Sequence, residues 1–190
     1  WYADSLTWDE DIKSPKSVNI RPNGKKFYVN SLEECTTVCY DFSTGKKQSV
    51  IHHKFQEGHD DSLWTKPSGL YPWRHYSKDL NTFWGKPVES TFSHKGRYLW
   101  VPYYRRSFDI NAQDPSAVAV IDTETDQIVR LMETGPLPKM IATSPDGRLI
   151  AVSHWGNNTV GLIDISSESP KLWKHLTVLA VDKELILNFP

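Results

Sequence analysis

The sequence predicts an all-β fold built from repeated four-stranded units, because one short pattern occurs three times. The stretch SPDGRLIAV (144–152) is similar to RPNGKKFYV (21–29) and to SHKGRYLWV (93–101). In each copy a proline precedes the glycine by nine residues and a valine follows it by five. The aligned positions are Pro15, Gly24 and Val29, then Pro87, Gly96 and Val101, and finally Pro138, Gly147 and Val152. Three copies of one frame indicate a single repeated supersecondary unit.

An aspartate at a fixed distance from the glycine is the second shared feature. It follows the glycine by 17 residues in the first and third copies and by 26 in the second, so the second copy contains nine inserted residues. Without that insertion the repeat is about 42 residues long. Because Asp41, Asp122 and Asp164 occur once per repeat, we expect them to be structural turn residues and not catalytic ones.

Each repeat contains the signals of four short β-strands. In the third copy KMIATS, LIAVSH and TVGLIDI are β-rich segments bounded by turn residues, and LWKHLTVL (172–179) predicts a fourth strand. The intervening PDG and SSESP are typical of tight turns. Four antiparallel strands in about 42 residues form the blade of a β-propeller. The predicted blades are about 13–53, 86–134 and 136–179, with an insertion at 54–85.

The order of proline, glycine, valine and aspartate resembles the YVTN-type propeller repeat of YncE-like and surface-layer-associated proteins. The resemblance covers about 130 of the 190 residues and is strongest in LPKMIATSPDGRLIAVSHWGNNTVGLIDI. It implies an exported protein, periplasmic or at the cell surface. Since propellers typically have 4–8 blades, three blades plus partial blades at 1–12 and 180–190 predict a segment of a larger, about seven-bladed propeller. Further blades from the same or another chain are the expected partners.

Composition excludes few classes of function. The formal net charge of -1 gives no reason to expect nucleic acid as a partner, and no apolar run approaches the roughly 18 residues of a membrane-spanning helix. Cys35 and Cys39 on one extended strand would lie roughly 13 Å apart, too far for a disulfide. We therefore expect two half-buried thiols, with neither a zinc site nor another metal site.

In propellers of this kind the ligand usually meets the end formed by the loops that enter the first strand and the loops that join the second strand to the third. Here the loops from the second strand to the third are 30–36, 102–116 and 153–158. Adjacent aromatic and arginine side chains suit stacking and recognition of carboxylates or phosphates. The candidate binding residues are Tyr103, Tyr104, Arg105, Arg106, His154 and Trp155. The alternative is that the aromatic rings pack on the next blade and the arginines are solvated. Lys139 is a further candidate, and a solvated lysine is its alternative.

The long insertion 54–85 is rich in aromatic residues, which argues against simple disorder. Loops of this length are usually functional or disordered, so we expect it to cover one face of the propeller or to contact a partner. Its EGHDD stretch contains His59, Asp60 and Asp61, and His75 follows, but no second ligand cluster supports a metal site.

The sequence favours a non-catalytic binding or interaction module that recognises a protein or a surface glycan through loops at one face. No G-x-S-x-G, P-loop, H-E-x-x-H or C-x-x-C motif occurs, and no particular cofactor is indicated. The alternative is a propeller enzyme, lactonase-like or quinone-dependent dehydrogenase-like, with its site at the mouth of the central channel. Its candidate catalytic residues are Glu89, Arg105, Arg106 and His154.

Overall fold

The computed structural model describes residues 8–73 and 80–181, and these form three antiparallel sheets that follow one another along the chain. The first blade consists of β1 (Pro15–Ile20), β2 (Lys26–Ser31), β3 (Thr36–Asp41) and β4 (Lys47–His52). Two short strands follow, β5 (Lys54–Phe55) and β6 (Phe83–Pro87). The second blade contains β7 (Thr91–Ser93), β8 (Tyr98–Arg106), β9 (Ser116–Asp122) and β10 (Gln127–Thr134). The third contains β11 (Pro138–Thr143), β12 (Leu149–His154), β13 (Thr159–Asp164) and β14 (Lys174–Ala180).

The turn predictions are confirmed in the first and third blades. Gly24 and Gly147 have φ values of 69° and 73°, which glycine adopts without steric cost. Their amides donate to Arg21 and Ser144, closing the tight turns. In the second blade a 3₁₀ turn at His94–Gly96 replaces this tight turn.

The three repeated aspartates are turn residues, as predicted. Asp41 Oδ1 accepts from the amides of Ser43 and Thr44 at 3.0 and 2.8 Å. Asp122 and Asp164 accept from the amides two residues further on, each at 2.9 Å. These bonds satisfy backbone donors in the loops that lead to the fourth strands.

The second blade is packed on both faces. All seven residues of β9 are buried, and alternate residues of a strand point to opposite sides of the sheet. One face of the second blade joins the core shared with the first blade, whose members include Tyr28, Phe55, Phe83, Leu99, Val101, Tyr103, Ile121 and Leu131. The other joins a core with the third blade, whose members include Tyr98, Trp100, Val118, Val120, Met132, Ile150, Val152, Ile163 and Trp173.

A polar cluster also joins the first and second blades, at the ends opposite their 30–36 and 102–116 loops. Asp126 lies in the turn between β9 and β10 with a φ of 54°. Its carboxylate accepts from Lys26 Nζ at 2.9 Å, from the Tyr28 hydroxyl at 2.7 Å and from Ser49 Oγ at 2.9 Å. The turn of the second blade is therefore tied to two strands of the first, β2 and β4.

The first and third blades have one covered face and one open face. Val18 and Ile20 alternate with Ser17 and Asn19, which bond to the second blade, and both apolar side chains are exposed. Leu179 is exposed on the third blade. Such faces are typical of blades in the interior of a longer propeller, so the chain is part of a larger propeller. Of the predicted partial blades, residues 1–7 and 182–190 lie outside the described residues.

Two sequence-based assignments need correction. Residues 102–106 were expected in a loop but continue β8, because Gly85 and Pro87 of β6 pair with Arg106 and Tyr103. The insertion contains β5, most of β6 and a 3₁₀ turn at Asp61–Leu63. Cys35 and Cys39 are free thiols and fully buried instead of half-buried. Cys35 precedes β3 at a φ of 57° and does not share its strand with Cys39.

Candidate functional site

The candidate surface is the end of the blades at which each second strand ends and each third strand begins, called here the loop end. Strand pairing places Pro15 opposite Ser31 and Pro138 opposite His154, so the first strands also begin there. The extended tip of β8 (103–106) lies at the same end. All six predicted binding residues therefore lie at or near the loop end of the second or third blade.

The extension of β8 separates its four predicted binding residues into two pairs. Tyr103 and Arg106 are buried, whereas Tyr104 and Arg105 are partly exposed. Arg105 Nη1 donates to the carbonyl of Ile110 at 3.3 Å. The pKa of Glu33 is lowered, first by a hydrogen bond from Lys86 and also by the charge of Arg105. Arg105 therefore faces the neighbouring loop of the first blade.

Arg106 is enclosed by aromatic rings. Its guanidinium carbon lies 4.7 to 5.9 Å from four ring centroids, those of Trp64, Trp73, Phe83 and Phe108. Nη1 donates to the carbonyl of Leu80 at 2.8 Å and Nη2 to that of Ser116 at 3.0 Å. Burial lowers the pKa of Arg106 to about 9, so the side chain stays charged at neutral pH. Because the rings come mainly from the insertion, Arg106 holds the insertion on the second blade.

A buried chain of side-chain hydrogen bonds crosses from the first blade to the second. The Thr37 hydroxyl donates to Asn30 Oδ1 at 2.7 Å, and Thr37 Oγ1 lies 2.7 Å from His53 Nε2. A hydroxyl has one proton to donate, so Nε2 must carry the proton that joins His53 to Thr37. His53 Nδ1 is then the acceptor for the Tyr103 hydroxyl at 2.8 Å. The hydrogen bonds of this series therefore all point the same way, from Tyr103 through His53 and Thr37 to Asn30.

Both ends of this series of hydrogen bonds are held by the second blade. Asn30 Nδ2 donates to the carbonyls of Val88 and Glu89 at 2.8 and 3.2 Å. Full burial lowers the pKa of His53 to about 3, so the ring is neutral at physiological pH. Strand alternation predicts that the adjacent histidines at 52 and 53 point to opposite faces, but not which of them is buried. Since no motif marks His53, the sequence did not single it out.

The two predicted residues of the third blade lie in different environments. His154 is buried, and its Nδ1 lies 2.9 Å from Thr159 Oγ1. Since the Thr159 hydroxyl donates to Asn157, Nδ1 carries the proton. Trp155 is 57% exposed, and Lys139 Nζ lies 4.1 Å from its ring centroid. Trp155 and Lys139 therefore form an accessible cation–π pair at the loop end.

The insertion reaches the third blade through Tyr71. Its ring lies edge-on to His154 and to His175, with centroid distances of 5.5 and 5.4 Å. A Cβ at Gly161 would overlap the Tyr71 hydroxyl, so only glycine leaves room for this ring. Burial lowers the pKa of His154 to about 4, with the neighbouring His175 as a smaller cause. His154 is therefore neutral and covered by the insertion.

The remaining candidates lie apart from these residues. His59 is an exposed side chain that pairs with Asp60 at 2.9 Å. Within 8–73 and 80–181, no group of three or more histidine, cysteine, aspartate or glutamate side chains is placed to hold a metal ion. His75 lies outside the described residues. Across those same ranges, no helix has the length and apolar character needed to cross a membrane.

Comparison with known proteins supports the fold. No family model matches the chain, and no curated protein matches it. Among solved structures, a putative 6-phosphogluconolactonase from Bacteroides uniformis matches 95% of this chain and 44% of its own, with a TM-score of 0.62 and 14% identity. Hydrazine synthase from Kuenenia stuttgartiensis matches 96% of this chain and 40% of its own, with a TM-score of 0.61 and 16% identity.

A periplasmic gluconolactonase from Pseudomonas aeruginosa also matches, over 88% of this chain and 40% of its own, with a TM-score of 0.56 and 15% identity. At such identities the likeness concerns the fold alone. The chain is a segment of a β-propeller. It spans about two fifths of the length of these structures.

Proposed function

We propose that this chain is part of an exported YVTN-type propeller that recognises a protein or a surface glycan through its loop end, without catalysis. Residues 1–190 form one propeller segment in this proposal, with the repeats at about 13–53, 86–134 and 136–179. The observation that carries it is the exposed Trp155 ring beneath Lys139. Exposed aromatic residues with a polar rim are typical of recognition surfaces.

Two further features at the loop end of the second blade support the proposal. Ile110 is 76% exposed in the loop after β8, and Tyr104 and Arg105 are partly exposed beside it. The buried chain from Tyr103 to Asn30 and the cage around Arg106 fix the strands beneath these residues. A rigid support lowers the entropy lost when a ligand binds.

The burial of several titratable groups favours binding over catalysis. A general acid or base must come within hydrogen-bond reach of its substrate. Arg106 and His154, two of the four candidates for an enzyme, are 2% and 1% exposed. The lactonase-like alternative is supported by the names of the matching structures from Bacteroides uniformis and Pseudomonas aeruginosa. It would depend mainly on Glu89, which is partly exposed at the loop end.

The test compares Trp155→Ala with Phe42→Ala, which removes a partly exposed ring beyond the opposite end of the first blade. Binding of the intact protein to an array of bacterial surface glycans and to cross-linked envelope proteins is measured for both. Loss of a recognition aromatic typically costs at least about 2 kcal/mol, so we expect binding to weaken roughly thirtyfold in Trp155→Ala only. Equal binding by the two variants would exclude Trp155 from recognition.

The enzyme alternative has a separate readout. Hydrolysis of glucono-δ-lactone by the intact protein is followed in a pH-stat, with Glu89→Gln as the variant. If the unaltered protein hydrolyses the lactone and Glu89→Gln does not, the lactonase-like function would replace the binding proposal. Absence of hydrolysis above the spontaneous rate supports a non-catalytic module.

A further inference from the structure

A groove of about 580 Å³ lies between the outer strands of the second and third blades. β10 and β14 form its two walls. Residues of the insertion between 65 and 70 and the 3₁₀ turn at Pro170–Leu172 also line it. Both walls belong to this chain, so the groove is complete without further blades. It is distinct from the loop-end surface around Trp155.

The lining of the groove is strongly basic. Five of its side chains are lysine, arginine or histidine, namely Lys66, Arg130, Lys171, Lys174 and His175. None of the twelve lining residues, all within the described part of the chain, is an aspartate or a glutamate. Several like charges around one concave space raise the local concentration of anions.

Several polar atoms of the lining are buried and have no hydrogen-bond partner among the described residues. They are Arg130 Nε, both ring nitrogens of His175 and Thr65 Oγ1. Unsatisfied buried polar groups are rare, and each calls for an explanation such as a bound ion. Arg130 and His175 come from β10 and β14, and both residues line the groove.

The nearest carboxylates offset part of this charge. Glu133 opposes the lowering of the His175 pKa by burial. The pKa of Asp164 is lowered first by hydrogen bonds from Ser166 and also by the charge of Lys174. Glu133 accepts from the amide and the hydroxyl of Ser68, each at 3.0 Å, and so is engaged by the insertion. Asp164 accepts from the amide and hydroxyl of Ser166 in its own turn. Burial lowers the pKa of Arg130, and no carboxylate opposes that shift. An anion in the groove would offset the cost of burying this guanidinium.

We propose that the groove binds a compact oxyanion, a phosphate or sulfate group that is either free or carried on a small organic molecule. Arg130 and His175 hold the oxyanion by hydrogen bonds, and Lys171 and Lys174 supply charge at the rim. The exposed side chains of Leu172 and Leu176 line the same space. They offer an apolar wall for the carbon skeleton of an organic phosphate.

The experiment is isothermal titration calorimetry of the intact protein at constant ionic strength, with chloride as the reference anion. The probes are inorganic phosphate, sulfate, glucose 6-phosphate and glucose. The variants are Arg130→Gln and His175→Gln, and Arg148→Gln serves as the control because Arg148 is an exposed arginine of the third blade outside the groove. Circular dichroism establishes that each variant is folded.

We expect phosphate and sulfate to bind and glucose alone not to bind. Loss of a charged hydrogen-bond donor weakens binding by about tenfold or more, so Arg130→Gln should show that loss. Burial lowers the pKa of His175, so its ring is a neutral donor, and His175→Gln should weaken binding by about two- to tenfold. Arg148→Gln should bind within about twofold of the unaltered protein. Tighter binding of glucose 6-phosphate than of phosphate assigns the groove to an organic ligand, and equal binding assigns it to the free ion.

Two results would overturn the proposal. One is the absence of binding by all three oxyanion probes above the chloride reference. The other is an equal loss in Arg130→Gln and Arg148→Gln, which would show only a general effect of net charge. If Arg130→Gln fails to fold, the same test is made with His175→Gln and with Lys171→Gln, which changes an exposed lysine of the groove. Neither outcome depends on the glycan and lactone assays at the loop end.

Discussion

Replacing Tyr103 by phenylalanine removes a single hydroxyl from the buried chain that joins the first two blades. The Tyr103 hydroxyl donates to His53 Nδ1. Thr37 cannot replace it, because the Thr37 hydroxyl already donates its one proton to Asn30. The ring of Tyr103 packs against Phe55 and Phe83 and is retained by phenylalanine. Tyr103→Phe therefore isolates one hydrogen bond with little change in packing.

The size of the effect follows from the burial of both partners. A buried acceptor left without its donor costs about 1–3 kcal/mol. In a protein of this size each kcal/mol lowers Tm by roughly 2–4 °C. A central value of about 2 kcal/mol therefore predicts a fall in Tm of roughly 4–8 °C. Because His53 and Tyr103 are both fully buried, no water can replace the lost donor, and the cost of a buried unsatisfied acceptor applies.

Differential scanning calorimetry and urea denaturation at pH 7.5 measure this change. The matched control is Tyr104→Phe, the next residue of β8, whose partly exposed hydroxyl should change stability by less than about 0.5 kcal/mol. Thr37→Val should also destabilise, and the double variant should lose less than the sum because the chain acts as a unit. A Tm for Tyr103→Phe within about 1 °C of the unaltered protein, or a proton found on His53 Nδ1 by nitrogen NMR, would refute the reasoning.

Three other predictions concern the contacts between blades. Burial holds the pKa of His154 at about 4, below the ordinary value of about 6.5. The unfolded chain then binds more protons, so stability present above pH 6.5 falls by about 2 kcal/mol by pH 5. His154→Gln should remove this share of the pH dependence in urea titrations, while the share that comes from buried His53 remains. Gly161→Ala should destabilise by about 1–3 kcal/mol in the same assay, because the new methyl group overlaps Tyr71. Asp126→Ala should lower stability by about 2–3 kcal/mol, because three donors from the first blade lose their acceptor.

Each of these predictions has a contrary outcome. An unchanged slope of stability against pH in His154→Gln would mean that the ring is protonated in the folded protein. A neutral Gly161→Ala would show that Tyr71 does not occupy the space beside β13. Full stability of Asp126→Ala would mean that its three hydrogen bonds are replaced by water without loss.

The extension of β8 shows how far strand signals in the sequence can be taken. The repeat frame located the start of β8 and the aspartate at the end of β9, because both depend on turn chemistry between neighbouring residues. The tip of β8 pairs with β6, which lies at the end of the long insertion. β6 in turn pairs with β5, which lies at the start of that insertion. That register is set by contacts distant in sequence, so the segment containing Tyr104 and Arg105 was assigned to a loop.

The candidate site shows a similar division. The sequence indicated which residue types were suited to recognition, and it placed them near the loop end. A register shift in the pairing with β6, where Gly85 pairs with Arg106 and Pro87 with Tyr103, breaks strict alternation. Tyr103 and Arg106 are therefore both buried, while Tyr104 and Arg105 remain accessible. The basic groove between β10 and β14 was not predicted, because Arg130 and His175 are 45 positions apart in the chain and carry no shared motif.

The sequence by itself determined the all-β class, the three repeats, the turns at Gly24 and Gly147 and the structural role of the repeated aspartates. These features depend on local preferences of the backbone and recur with a fixed spacing, so one chain reveals them without an alignment. Only the tertiary structure decided which side chains became buried between blades and which faced the groove. That choice depends on the register of pairing and on the path of the insertion, and both are fixed by the free energy of packing distant segments together.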